Sequence, residues 1–353
     1  MFKRGVFIGM VTIFAMLFIQ ACGVTSPYVT GAKIDMQNKD YKKATEKLNL
    51  AIKNNSKDYQ AYYLLGKIYA KEKKYEDMVS MFKKSTKINK EYEKDINAEI
   101  EAAWVEVIKD ANASYKSGLN FLNNNKPEEK YKKAFSVAVK KGEQAAILMP
   151  EKYENYMILI YSYYYLGDYD KSLKHAQKLY ELKPGDIQSL KNIAVIYLGK
   201  GDLDKANEYY VKAYEIDKND KDVISRIAAY NIEKENFDKA LEMYDALLTL
   251  DPKNTTVLYN KGLLLYQKKQ DVNGAIAAFR KILDNKKDDL EVTLILSEIL
   301  VEEKRYDEAI SLILPNIESF EADSEMKKRA YDSLFFAYSG KGDNMKAKKY
   351  FIE

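Results

Sequence analysis

The two residues that most often carry protein chemistry occur once each, as Cys22 and His175. A single cysteine rules out an intramolecular disulfide, and one cysteine with one histidine is too few for a zinc site of the usual Cys/His kind. His175 has no nucleophile spaced around it and reads as a packing or surface residue. No phosphate-binding loop, glycine-rich fingerprint or metal-spaced carboxylate cluster is present. The sequence therefore predicts no catalytic residue, no metal, no cofactor and no enzyme. Tyrosine is what abounds, 30 in all, and five crowd into "YSYYYLGDY" from Tyr161 to Tyr169. Tyr163, Tyr164 and Tyr165 are consecutive and cannot share one helix face. Tyrosine offers large area, few rotamers and a hydroxyl that tolerates water, which suits a binding surface. A general bias toward tyrosine is the competing explanation.

Those residues need elements to hold them, and the first 23 residues are not among such elements. "MFKRGVFIGMVTIFAMLFIQACG" begins with Lys3 and Arg4 and continues apolar and uncharged from Gly5 to Ile19. It then reaches Ile19-Gln20-Ala21-Cys22. The order is that of a secretory signal peptide. With cysteine at the cut, it resembles the bacterial lipoprotein signal, which implies residues 1–21 removed and Cys22 lipidated (palmitate-type chains), with a tether over 22–32. Two or more chains give stable anchoring. An uncleaved anchor and a buried thiol are the alternatives. Gly23, where an aspartate would favour the inner membrane of some enteric bacteria, points to the outer membrane, periplasmic side.

The remainder is expected to be all-α. Hydrophobic residues are 46% and charged residues 31%, proline is scarce, and no alternating runs stand out. The formal charge of +4 is spread among mixed signs, with no basic stripe for nucleic acid. Runs such as "KEKKYED" read as solvated helix faces. Self-similar segments recur, as in "QSLKNIAVIYLGKGDLDKANEYYVKAYEID" and "DVISRIAAYNIEKENFDKALEMYDALLTLDP". Corresponding places hold Leu65, Gly66, Tyr69, Met78 and Phe82; then Ile193, Ala194, Tyr197, Ala206 and Tyr210; then Ile227, Ala228, Asn231, Ala240 and Tyr244. This resembles the tetratricopeptide repeat, a helix–turn–helix unit of about 34 residues. The resemblance implies a right-handed superhelical solenoid of about eight to nine such hairpins over residues 33–353.

Irregularities are also legible. A degenerate first unit keeps Tyr41, Ala44, Leu48 and Ala51. The unit from Thr255 gains a residue near Asp271-Val272. Pro315 falls inside a second helix and should kink or end it. Between residues 93 and 152 the period breaks. Trp104, Val107 and Ile108 share a face there, and a polar insertion covers about 123–130. One repeat with lengthened helices is expected; a two-module protein hinged near Asn123–Lys126 is the alternative.

In the repeat family the first helices line a concave groove that holds partners. The resemblance puts Tyr63, Met157, Tyr161, Tyr164, Tyr165, Tyr259, Leu263 and Tyr266 at groove places. Tyr163 and Tyr169 fall at packing places. Replacing Tyr161, Tyr164 and Tyr165 by alanine is accordingly expected to leave thermal stability nearly unchanged. Asn192 and Arg226 match two of five places of a known carboxylate clamp, too few for that function. The expected protein is a membrane-tethered, non-catalytic scaffold in the bacterial cell envelope. It would bind a protein or peptide in envelope assembly, secretion or cell-wall machinery. A periplasmic carrier with a small hydrophobic ligand in a solenoid pocket is the alternative, and self-association around Phe351 is a third.

Overall fold

The computed structural model describes residues 26–320 and 322–351; the expected signal segment 1–21 and Cys22 lie outside them. Every regular element among the described residues is helical. The helices gather into two compact units, one ending at Leu182 and the other beginning at Lys183.

In the first unit, α1 (Pro27–Gln37) pairs with α2 (Tyr41–Asn54), and α3 (Tyr59–Lys71) with α4 (Tyr75–Ile88). Next, α5 (Glu93–Asn123) pairs with α6 (Glu128–Leu148), and α7 (Tyr153–Tyr165) with α8 (Tyr169–Leu182). The helical array begins earlier than expected. Pro27, whose fixed φ suits a first helical position, starts α1, and Val29 and Ala32 of α1 are buried. Residues 27–32 are therefore part of the stack and not tether.

The hairpins recur because their turns recur. Lys39 and Lys73 adopt left-handed backbone 34 residues apart, and Gly167, Gly201 and Glu235 follow at the same interval. Each ends a first helix, where a left-handed residue lets the chain reverse. Asp40, Asp58, Asp186, Asp202, Asp220, Asp289 and Asp343 cap the following helices by accepting a backbone N–H, each contributing about 1 kcal/mol. Between the helices of a hairpin the approach is close. A Cβ added to Gly66 would lie 2.4 Å from the Phe82 ring, and one added to Gly118 would lie 2.6 Å from Phe135.

The irregular stretch is one hairpin. Its first helix, α5, has 31 residues and its second, α6, has 21. Both flanks of Asn123–Lys126 belong to the same compact unit, so that turn is not a module boundary. Val107, Ile108 and Ala111 of α5 join Met78 and Phe82 of α4, Ala145 of α6 and Ile158 of α7 in one core. The lengthened helices thus knit three hairpins together.

In the second unit, α9 (Ile187–Gly199) pairs with α10 (Leu203–Ile216), and α11 (Lys221–Glu233) with α12 (Phe237–Leu250). Then α13 (Thr255–Leu264) pairs with α14 (Val272–Asn285), and α15 (Leu290–Glu302) with α16 (Tyr306–Ile313). After α17 (Ile317–Phe320), α18 (Ser324–Gly340) pairs with α19 (Asn344–Lys349). Pro315 ends α16 as expected, inside a 3-10 turn over Leu314–Asn316. The extra residue of the α13 hairpin sits earlier than the sequence suggested. It is absorbed as a π-helical turn over Leu265–Lys269, which closes on left-handed Gln270, 35 residues after Glu235.

Candidate partner-binding surface

In the first unit, the tyrosines expected to face a partner mostly face each other. Tyr63 of α3 stacks on Tyr92, which caps the start of α5, with ring centroids 4.1 Å apart and planes 10° apart. Burial, then Glu91, pushes the Tyr92 hydroxyl up to about 12. On α7, Met157, Tyr161, Tyr164 and Tyr165 are all half-buried. Tyr165 stacks on Phe135 of α6 at 4.9 Å and 12°. Tyr161 lies 6.4 Å from Tyr115 of α5, which in turn lies 5.8 Å from Phe135. Tyr164 meets Tyr165 and Tyr169 edge-on. Burial, reinforced by Tyr165 and Tyr161, holds the Tyr115 hydroxyl above its ordinary range.

This cluster exists because α5 is long. Gly118, near the end of α5, lets Phe135 slide against the helix, and the exposed side of that ring is covered by Tyr165. Tyr165 thus packs against its own chain, which argues against the expectation that its loss would leave stability unchanged. Tyr163 is buried as expected; its hydroxyl donates to Glu143 Oε1 at 2.6 Å and its ring stacks on His175. His175 is a packing residue in that stack.

A second tie was not foreseen. Trp104 Nε1 donates to Asn155 Oδ1 at 2.8 Å, and Asn155 Nδ2 donates to the Met149 carbonyl at 2.7 Å. Asn155 is fully buried. The pair joins the early half of α5 to the start of α7, so the overlong helix is bolted at both ends. A lone tryptophan in the broken period was the signal available.

In the second unit, Tyr259 of α13 meets Phe279 of α14 edge-on at 5.9 Å. Leu263 lines a cavity of about 480 Å³ bounded by Ile232, Phe237, Tyr244 and Leu264. Tyr266, in the π turn, donates its hydroxyl to Glu302 Oε2 at the end of α15. That bond, with burial, pushes Tyr266 to about 12.

Beyond Glu302 the same helix face opens into a cavity of about 350 Å³ between α15 and α18. Its lining is Glu298, Val301 and Glu302 from α15, with Arg329, Asp332, Ser333 and Phe336 from α18. Except for Arg329 and Ser333, these stand at the first-helix places that defined the tyrosine set; Phe336 occupies the place of Tyr161 and Leu263. Phe336 is 57% exposed. Arg329 is held by two of the three carboxylates of α15. Its Nε and Nη2 donate to Glu298 at 2.8 and 3.0 Å, and its Nη1 donates to Glu291 at 3.0 Å. Those bonds, Glu298 first, raise the guanidinium further above its ordinary value. The eight expected groove residues thus fall five in the first unit and three in the second. The acidic pocket, which the sequence offered by position but not by residue type, was missed.

The two matches to the carboxylate clamp are engaged: Gln188 donates to Asn192 at 3.0 Å, and Arg226 Nε lies 3.5 Å from Asp222.

Family models described as tetratricopeptide repeat match residues 59–92, 155–219 and 230–289. These segments match the tetratricopeptide repeat. They include α3 with α4, nearly all of α7 through α10, and α12 through α14. No curated protein matches the chain. Among solved structures, a tetratricopeptide repeat protein from Parabacteroides merdae is 23% identical, with 56% of this chain and 77% of that one covered and a TM-score of 0.41. The C-terminal part of a tetratricopeptide repeat-containing protein from Cytophaga hutchinsonii is 17% identical, with 67% and 92% covered and a TM-score of 0.47. Yeast Tom70 is 17% identical, with 92% and 82% covered and a TM-score of 0.38. These scores lie below 0.5, and the assignment rests on the sequence matches and the hairpins themselves.

Proposed function

We propose that the chain is a non-catalytic scaffold that holds a protein or peptide partner on the first-helix face of its second unit. The observation that carries this is the open pocket between α15 and α18, with Phe336 standing 57% exposed at a groove place. A large ring left in water contributes little to folding, whereas the same ring desolvated by a partner is a typical binding anchor. The first unit would then serve as the rigid stem, its own tyrosines filling much of the equivalent face. Lipidation of Cys22 would fix the stem to a bacterial membrane, the outer one by the Gly23 argument, for work in envelope assembly, secretion or cell-wall machinery.

The carrier alternative has some support in two cavities of about 500 and 480 Å³ beside α13, within the usual ligand range. Their walls mix leucines with Asp245, Lys261, Lys281, Glu233 and Lys268, which disfavours a wholly apolar guest. The scaffold reading is tested by placing a photo-crosslinking residue at position 336, and at exposed Gln177 as control, in cells expressing the full chain. A protein adduct from 336 and none from 177 is expected. No adduct from 336 would remove the reading. Cys22→Ser is expected to release the protein from membranes, and a variant that stays membrane-bound refutes the lipid anchor.

A further inference from the structure

We propose that the pocket between α15 and α18 recognises a basic side chain, best an arginine, on an extended segment of the partner. This inference rests on the first-helix face being the docking surface and adds the chemistry of what docks.

Three observations converge. The lining contributes one cation, Arg329, and its charge is already paired: Nε and Nη2 donate to Glu298 and Nη1 donates to Glu291. Two carboxylates already neutralise that single cation, so a carboxylate or phosphate entering the pocket would meet a net acidic wall. Next, two carboxylates in the lining have no cation bonded to them. Among the described residues, Asp332 forms no ion pair, and Glu302 accepts the neutral Tyr266 hydroxyl and no cation. Finally, Phe336 stands exposed among them, with Val301 in the same lining. A guanidinium can lie on the ring face as a cation–π contact while its N–H edges reach carboxylates, and its alkyl stem can cover apolar surface. Lysine satisfies the charge with fewer directed bonds and no flat face. An apolar side chain would desolvate the carboxylates without returning a hydrogen bond, at a net cost. Electrostatic complementarity, rather than the apolar area alone, therefore selects the occupant.

The test uses the full chain and a fluorescein-labelled peptide, Gly-Ser-Arg-Leu-Arg-Ser-Gly, with a citrulline twin that keeps shape and removes charge. Binding is read by fluorescence anisotropy. The arginine peptide is expected to bind about tenfold or more tighter than the twin, the loss of one charge-assisted contact being worth about a factor of ten. Phe336→Ala and the pair Glu302→Gln with Asp332→Asn are each expected to weaken it by a similar factor, and added salt to weaken it further. Far-UV circular dichroism of the variants should match the parent, since Phe336 is exposed and Asp332 half-exposed. No binding of the arginine peptide, equal binding of the twin, or variants that bind like the parent would each overturn the inference. Spermidine competing as well as the peptide would overturn the peptide part in favour of a free polyamine. Should the inference fail while position 336 still crosslinks to a protein in cells, the docking surface stands and only the basic partner falls.

Discussion

The first-helix face is built twice in this chain, and the two versions differ in what fills it. In the first unit Tyr165 covers Phe135, Tyr161 approaches Tyr115 and Tyr63 stacks on Tyr92. In the second unit Phe336 meets, among the described residues, no ring but its neighbour Phe335, and carboxylates line the space beside it. The richer aromatic composition belongs to the face that is more occupied by itself. Aromatic count is thus a poor guide to a binding surface; what matters is whether the ring has already been desolvated by the chain. The cause is local. An overlong α5 brings Tyr115 alongside α7, so side chains that would meet a guest in a regular repeat meet their own neighbour.

The contrast can be broken first at Phe135. It is fully buried, lies against Gly118 and is stacked by Tyr165. Phe135→Ala is expected to cost about 3–5 kcal/mol, the usual range for emptying a buried aromatic site. Urea unfolding followed by tyrosine fluorescence would measure it. A loss below about 1 kcal/mol, the scale of an ordinary surface-tolerant change, would mean the aromatic cluster does not hold the first unit together. Tyr165→Ala comes next, at about 2 kcal/mol, combining partial burial with a stacked pair. The same experiment with Tyr164→Ala should give less, because its ring has only edge-on partners.

Much of this architecture was legible in advance. The helical hairpins follow from small residues such as Gly66 and Ala194 facing large ones, and from aspartates placed to cap. Pro315 stops its helix because it lacks an N–H. Packing between elements far apart in sequence was harder to see. Nothing in "YSYYYLGDY" says that Tyr165 will find Phe135, since that contact depends on the length of α5 and on the turn at Asn123–Lys126. Trp104 and Asn155 are 51 residues apart and belong to different hairpins. The inserted residue near α14 was detected, but a π turn could absorb it anywhere in the preceding helix. The pocket at Phe336 was hidden for another reason. Its residues, Glu298, Glu302 and Asp332, look like ordinary solvated charges until Arg329 is seen to satisfy one side and leave the other open.

Acid sharpens the comparison because only the first unit contains the histidine. Burial lowers the pKa of His175; Glu143 opposes this and Lys174 adds to it. With the folded value below the ordinary 6.5, the unfolded chain takes up a proton first as pH falls. Stability from this site is therefore complete above about pH 6.5 and declines below it, until folded His175 also protonates. Hydrogen exchange at the α7 and α8 amides should accelerate between pH 7.5 and 5.5, after correction for intrinsic rates, and more than at α15 and α18. His175→Phe keeps a ring against Tyr163 and should flatten that difference. An unchanged difference would assign the acid sensitivity to another group.

The smallest expected change is the most informative about function. Phe336→Ala should alter the stability of the second unit by less than about 0.5 kcal/mol, the usual bound for surface sites. The ring is more than half in water and its one aromatic partner among the described residues is its neighbour Phe335. Differential scanning calorimetry of the full chain would detect a larger loss, and such a loss would make Phe336 a packing residue like Tyr165, erasing the difference between the two faces. If the loss is negligible, the ring's contribution must be sought outside the chain. Chemical truncations of similar size at Tyr165 and Phe336 then separate cleanly: one weakens the fold, and the other weakens only what the fold can hold.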